Sequence, residues 1–197
     1  MKFVTHTLLV AGALLTSVCN ADDTKRLFLD VHELESVTAA AVAEAHSMDL
    51  AVQDEFGVDF TRYWVDESNA RVYCLAEAND PKSISAAHAK AHGLVPQNVY
   101  EVSSGIEDPA SGNTKLFIDV HDVGAGKVTA ADVAAAHEQD LAIQDEYGVK
   151  FVNYWVDQRT GSIFCLSEAE HTDDVIETHR HAHGLISDEI AEVVQGE

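Results

Sequence analysis

Hydrophobic and polar positions along the chain switch period several times, and each switch marks an element. In RLFLDVH at 26–32, Leu27, Leu29 and Val31 alternate with Phe28, Asp30 and His32, the twofold period of a strand. Thr38 precedes an alanine-rich stretch that runs to Gly57, which predicts a helix with a hydroxyl cap and a glycine stop. DFTRYWVD and RVYCLAEA, joined by the polar turn ESNA, predict a hairpin. Asp80-Pro81 opens a second helix, Gly93 ends it, and VYEV closes the unit as a short strand. The order β-α-β-β-α-β is the split βαβ of a ferredoxin-like fold.

The same order then recurs. LFLDVHE at 27–33 returns as LFIDVHD at 116–122, YWVD at 63–66 returns at 154–157, and CLAEA at 74–78 returns as CLSEA at 165–169. Beyond Val37 the copies align without gaps, with roughly half of about 66 positions identical. Two residues are inserted in the second copy before Val128. The fold class expected is therefore α+β, with a first repeat over 22–102, a linker over 103–114 and a second repeat over 115–197. One such unit leaves a sheet face without helices. Two can bury those faces together, which predicts a pseudo-dimeric α+β barrel and a monomer with internal pseudo-twofold symmetry. Phe28, Tyr73 and Leu75, with Phe117, Phe164 and Leu166, are the apolar groups expected on the buried faces. Tyr63-Trp64 and Tyr154-Trp155 are expected to be core and barrel lining, and the run Gln53-Asp54-Glu55 a solvated helix end.

Composition narrows the partners. The 197 residues are 46% hydrophobic, enough for packed cores, and carry 34 acidic against 12 basic side chains, a formal charge of −22. Such a surface repels phosphate backbones and excludes nucleic acid as a partner. At the N-terminus, Lys2 precedes the apolar run TLLVAGALLTSV, too short to span a bilayer, and CNA supplies small residues for cleavage after Ala21. Residues 1–21 are thus expected to be a signal peptide, leaving a periplasmic or secreted protein with no membrane attachment. Cleavage leaves Cys74 and Cys165, which occupy equivalent strands and are expected as two separate buried thiols.

The candidate chemistry lies in the histidines. Of the 11, eight form equivalent pairs between the copies: His32 with His121, His46 with His137, His88 with His179, and His92 with His183. HAKAHGL at 88–94 and HRHAHGL at 179–185 keep both histidines and the Gly-Leu, although NDPKSISAA and EHTDDVIET just upstream share no position. Two histidines at i and i+4 lie on one helix face, where two imidazoles can chelate one ion such as Ni²⁺, Zn²⁺ or Cu²⁺. The topology brings the end of the first strand (His32), of the second strand (Asp66) and of the second helix (His88, His92) to one edge, and His46 can face His88 across the helices. His32 can instead point into the barrel and form a separate site with Asp30 and Glu77. All eight paired histidines are candidate metal ligands. Because imidazole must be neutral to ligate, affinity is expected to fall below about pH 6.5.

At AHxxDLxxQxExGVxFxxYWVD, CLxEA and HxxAHGL the chain resembles a bacterial family of nickel-binding proteins of ferredoxin-like fold, whose members are usually single domains that dimerise. The resemblance covers nearly the whole chain after residue 21, twice, and implies nickel as the bound metal. Carried to matching positions, it implicates His46, His88 and His92, with His137, His179 and His183. This chain departs from the family pattern in its tandem fusion and its expected export signal. Metal binding is the reading expected first. The rivals are a small oxygenase or isomerase using Asp30, His32, Tyr63 and Glu77 inside the barrel, and a barrel that binds an organic ligand or partner without metal.

Overall fold

The computed structural model describes residues 24–105 and 109–197. The expected signal peptide lies outside the described residues. The first copy contains β1 (Arg26–Glu33), α1 (Ala39–Phe56), β2 (Asp59–Asp66), β3 (Arg71–Ala78), α2 (Pro81–Ala91) and β4 (Asn98–Glu101). After β5 (Ser103–Ser104), the second contains β6 (Lys115–Asp122), α3 (Ala130–Tyr147), β7 (Lys150–Asp157), β8 (Ser162–Ala169), α4 (Thr172–Ala182) and β9 (Glu189–Gly196). The signals that predicted the helices act as physical devices. Thr38 Oγ1 accepts the Ala41 N–H, Asp80 accepts from the Lys82 and Ser83 N–H groups, and Gly57 stops α1 at φ +65°. Among the described residues, no helix is long and apolar enough to cross a membrane.

The strands form an antiparallel sheet in the order β4-β1-β3-β2-β9-β6-β8-β7-β5. Its two ends are a single run of chain, because β4 pairs with β1 and β5, two residues later, pairs with β7. β9 does the same work in one strand, pairing with β6 through Glu189–Val193 and with β2 through Val194–Gly196. Each copy therefore lends its last strand to the other, and the sheet closes into the expected barrel. Its interior holds Leu29, Val31, Tyr73 and Leu75 against Ile118, Phe164 and Leu166, with Trp64 and Trp155 packed at 4.9 Å between ring centroids. Phe28 and Phe117, expected on this face, lie under the helices instead, Phe28 with Ile84 and Ala87, and Phe117 with Val175. Register explains it: Phe28 stands opposite Ala76, on the helix-covered face, whereas Leu29 stands opposite Leu75.

The same register places Asp30 opposite Cys74 and His32 opposite Val72, so both face the helices rather than the barrel. A bulge at Thr61, repeated at Val152, shifts the parity of β2 and β7. Trp64 and Trp155 then line the barrel, while Tyr63 and Tyr154 turn toward the helices. Gln53 is more than a solvated helix end: its Oε1 accepts the Phe60 N–H at the start of β2, and Gln144 does the same for Phe151. The expected linker is also partly structured. Ser103 and Ser104 join the barrel, and the Glu168 carboxylate accepts from Ser111 and Gly112 N–H groups. Cys74 and Cys165 are buried free thiols.

Where the copies interlock, Gly105 crosses Tyr154 and Gly196 crosses Tyr63. A Cβ at either glycine would lie 2.1 Å from a carbon of the tyrosine ring. Gly196→Ala should therefore destabilise the chain by about 1–3 kcal/mol, the cost of overpacking a filled site, measured as a lower urea midpoint. An unchanged midpoint would show that the ring moves aside freely.

Candidate metal centres

Three elements deliver the polar residues of each copy to one buried place. β1 supplies Asp30 and His32 on its helix-covered face, α1 supplies Asp49 on its inward side, and α2 supplies His88 one turn before its end, with His92 as its C-cap. Asp30, Asp49 and His88 are all almost without solvent exposure. His88 lies between the two carboxylates, with Nδ1 at 2.9 Å from Asp49 and Nε2 at 3.5 Å from Asp30. His32 Nε2 is 3.0 Å from Asp30, and His92 Nε2 is 3.2 Å from Asp49. The second copy repeats this. His179 stands 3.0 Å from Asp140 and 3.4 Å from Asp119, His121 Nε2 is 2.9 Å from Asp119, and His183 Nε2 is 3.1 Å from Asp140.

The retained Gly-Leu behind the histidines now has a reason. Gly93 and Gly184 take φ values of +83° and +79°, and the chain folds back so that Leu94 N–H donates to His92 Nδ1, as Leu185 does to His183, each at 3.1 Å. A nitrogen that accepts from a backbone N–H holds a lone pair, so neutral His92 carries its proton on Nε2 and donates it to Asp49. Asp49 also takes the Nδ1 proton of His88. The His88 Nε2 position is thereby aimed at Asp30 and His32.

Charge follows geometry. Burial opposes the cationic form of His88, but hydrogen bonds and attraction from Asp30 and Asp49 outweigh it and raise its pKa to about 9. The corresponding balance with Asp119 and Asp140 raises His179 to about 10. Asp119 is lowered to about 2 because His121 and His179 hold its carboxylate against the opposing effect of burial. Burial pushes the Cys74 and Cys165 thiols well above their usual range.

Several buried polar atoms here make no well-aligned hydrogen bond to the described residues, although oppositely charged groups stand close by. They include both Asp119 carboxylate oxygens, His179 Nε2 and Asp30 Oδ1. Asp30, His32, Cys74 and His88 each offer a ligand atom, all within 4.8 Å of one another, and so do Asp119, His121 and His179. Asp49, His88 and His92, and likewise Asp140, His179 and His183, form a second grouping of the same kind. A cation among these atoms would be bound by lone pairs of the carboxylate oxygens and of the imidazole nitrogens once their protons leave, so the residues present fit a metal.

The eight predicted histidines divide by position. Six of them, His32, His88 and His92 with His121, His179 and His183, fall in donor groups, whereas His46 and His137 fall outside. Asp66, placed at the same edge by topology, instead accepts the Ser68 and Asn69 N–H groups in its own hairpin turn. The barrel grouping of Asp30, His32, Tyr63 and Glu77 does not form, because the first three face the helices and Glu77 is exposed. Asp49 carries more of the site than its sequence position suggested. Its spacing of three from His46 and its return as Asp140 were the signals available.

A pseudo-dimeric ferredoxin-like barrel with a buried histidine-carboxylate cluster in each half defines the class. The chain belongs to the SCO4226-like family, described as nickel responsive proteins, whose profile matches residues 28–102 and 117–193. The crystal structure of SCO4226 from Streptomyces coelicolor A3(2) is 38% identical over 39% of this chain and 93% of that one, with a TM-score of 0.37. An anthrone oxidase-like protein matches 89% of this chain and 94% of its own at 10% identity and a TM-score of 0.49. A heme-binding protein from Thermus thermophilus matches 88% and 90% at 12% identity and a TM-score of 0.42. No curated protein matches the chain.

Proposed function

We propose that this chain is an exported, periplasmic or secreted nickel-binding protein, a monomer that holds one ion in each copy. The ligands are Asp30, His32 and His88 in the first copy and Asp119, His121 and His179 in the second. Asp49 and His92, with Asp140 and His183, orient the central imidazole. The carrying observation is that the buried Asp119 oxygens and His179 Nε2 stand close together without a well-aligned hydrogen bond between them. A carboxylate bound to the far nitrogen of a ligating histidine is the usual outer support of a metal site. Nitrogen and oxygen donors suit Ni²⁺, Zn²⁺ and Cu²⁺ alike, and the description of the family favours nickel. Bound there, a divalent cation would neutralise buried carboxylate charge. Export rests on the apolar run and small residues before Ala21. Elemental analysis of protein taken from its native compartment tests the metal and the address together, with two nickel ions per chain expected. Metal-free protein from that source would overturn the reading.

The pH dependence should differ from that of ordinary imidazole. His88 holds its proton up to about pH 9 and His179 up to about pH 10, and a cation must displace it. Near neutrality each ion bound should therefore release about one proton. Apparent affinity should rise about tenfold per pH unit from 7 toward 9 and then level, first in the first copy. Competition titrations against a chelator of known affinity would check this. Affinity that levels near pH 6.5 would place the bound metal elsewhere.

A further inference from the structure

His46 and His137 stand apart from the other repeated histidines. They are 6% and 8% exposed, and neither makes a hydrogen bond to any described residue. Burial lowers the pKa of both, so the rings are neutral and offer one N–H and one lone pair. Each lies against a tyrosine ring, at 4.8 Å for Tyr63 and 4.7 Å for Tyr154. The ring nitrogens of His46 and His137 are not among the fully buried atoms without a partner, so they reach solvent and can pair with a ligand.

Both rings line a cleft. In the first copy it measures about 140 Å³, with Val37, Val42, Val72 and Leu94 among its walls and His88 and His92 at its floor. An apolar cavity of about 150 Å³ holds one benzene molecule. Leu94 is exposed beside this opening, as Leu185 is beside the other. The Asp49 carboxylate beside the floor already accepts from His88 and His92, which leaves little for an ammonium ion, and a chain of charge −22 repels anions. What the cleft lacks is a neutral hydroxyl to pair with the imidazole.

We propose that each cleft binds a small single-ring phenol, its ring against the apolar walls and its hydroxyl hydrogen-bonded to His46 or His137. The second cleft is larger, about 250 Å³, with Lys127 and Asp132 in its lining where two residues are inserted before Val128. It takes rings with an added polar substituent. This site goes beyond metal binding and does not require it.

The test is to titrate phenol into the full chain, metal-free and nickel-loaded, by calorimetry and ligand-observed NMR, with benzene as the analogue lacking a hydroxyl. Phenol should saturate two sites and bind about fivefold more tightly than benzene, the value of one net hydrogen bond. Ala45→Phe and Ala136→Phe should each fill one cleft and remove one phenol site, leaving nickel content at its native value. His46→Ala with His137→Ala should bring phenol down to benzene. Equal binding of phenol and benzene by the native chain would overturn the proposal, as would saturable binding that survives both phenylalanine substitutions. Absence of saturable binding would overturn it too, whatever the nickel content proves to be.

Discussion

Changing His88 to alanine should leave one metal ion per chain instead of two, changing His179 to alanine should do the same, and the double variant should bind none. The reason is position: each imidazole is buried between two carboxylates and is the only histidine common to both donor groups of its copy. Removing it deletes a ligand and leaves two aspartates facing each other across an empty space. His92→Gln makes a different prediction. The Leu94 N–H occupies Nδ1 of His92, and a metal on Nε2 would require the proton to sit where that N–H already points. His92 therefore acts on Asp49 and through it on His88, as a positioning residue. Its replacement by glutamine should keep the stoichiometry at two and weaken the first site by about 10- to 100-fold, the usual effect of losing outer support. Elemental analysis and chelator competition separate the two behaviours. Loss of one ion on His92→Gln, as on His88→Ala, would move the centre to the second donor group. The pairing of His88 and His92 as a chelate, natural from their spacing alone, would then return.

Much of this arrangement was legible in the sequence because it is local or repeated. Helix ends showed in Thr38, Gly57 and Asp80-Pro81, which act through neighbouring N–H groups. The retained histidines survived in a helix otherwise rewritten, a contrast that one copy alone could not have supplied. What stayed hidden depends on contacts across space. Alternation reads Tyr63 and Trp64 correctly as opposite faces but cannot say which faces which layer, because the extra residue at Thr61 inverts the parity of the strand. Phe28 looked like a barrel residue by hydrophobicity, yet its register with Ala76 sends it under α2. The role of Asp49 depends on α1 packing beside α2, and the ring nitrogen filled by Leu94 depends on a backbone reversal at Gly93. Composition carries no trace of either. Gly105 and Gly196 were equally silent, since the tyrosine that each one crosses belongs to the other copy.

That exchange of strands leads to the second large effect: the isolated first copy, residues 24–105, should not persist as a folded monomer, whereas the full chain should be one. Cut from its partner, it would expose Leu29, Val31, Trp64, Tyr73 and Leu75, all now nearly inaccessible inside the barrel. Each large side chain of this kind is worth about 1.5–3 kcal/mol when buried, and several are lost at once. It would also bare the β2 edge at Tyr63–Val65, where β9 of the other copy now pairs. In the full chain the tether makes the closure intramolecular, and its entropic cost grows only logarithmically with length. The isolated copy has one route back to a closed barrel, because it retains Ser103–Gly105. Those residues pair with Val156, Trp155 and Tyr154 just as Val194–Gly196 pair with Val65, Trp64 and Tyr63. Two isolated copies can therefore trade these segments and rebuild the barrel as a symmetric dimer, with Gly105 of each across Tyr63 of the other. Sedimentation should give a dimer for residues 24–105 and a compact monomer for the full chain. Gly105→Val should break the dimer, since its side chain would meet the tyrosine ring. A folded monomeric copy, beside a full chain whose scattering is that of two separate lobes, would refute the barrel.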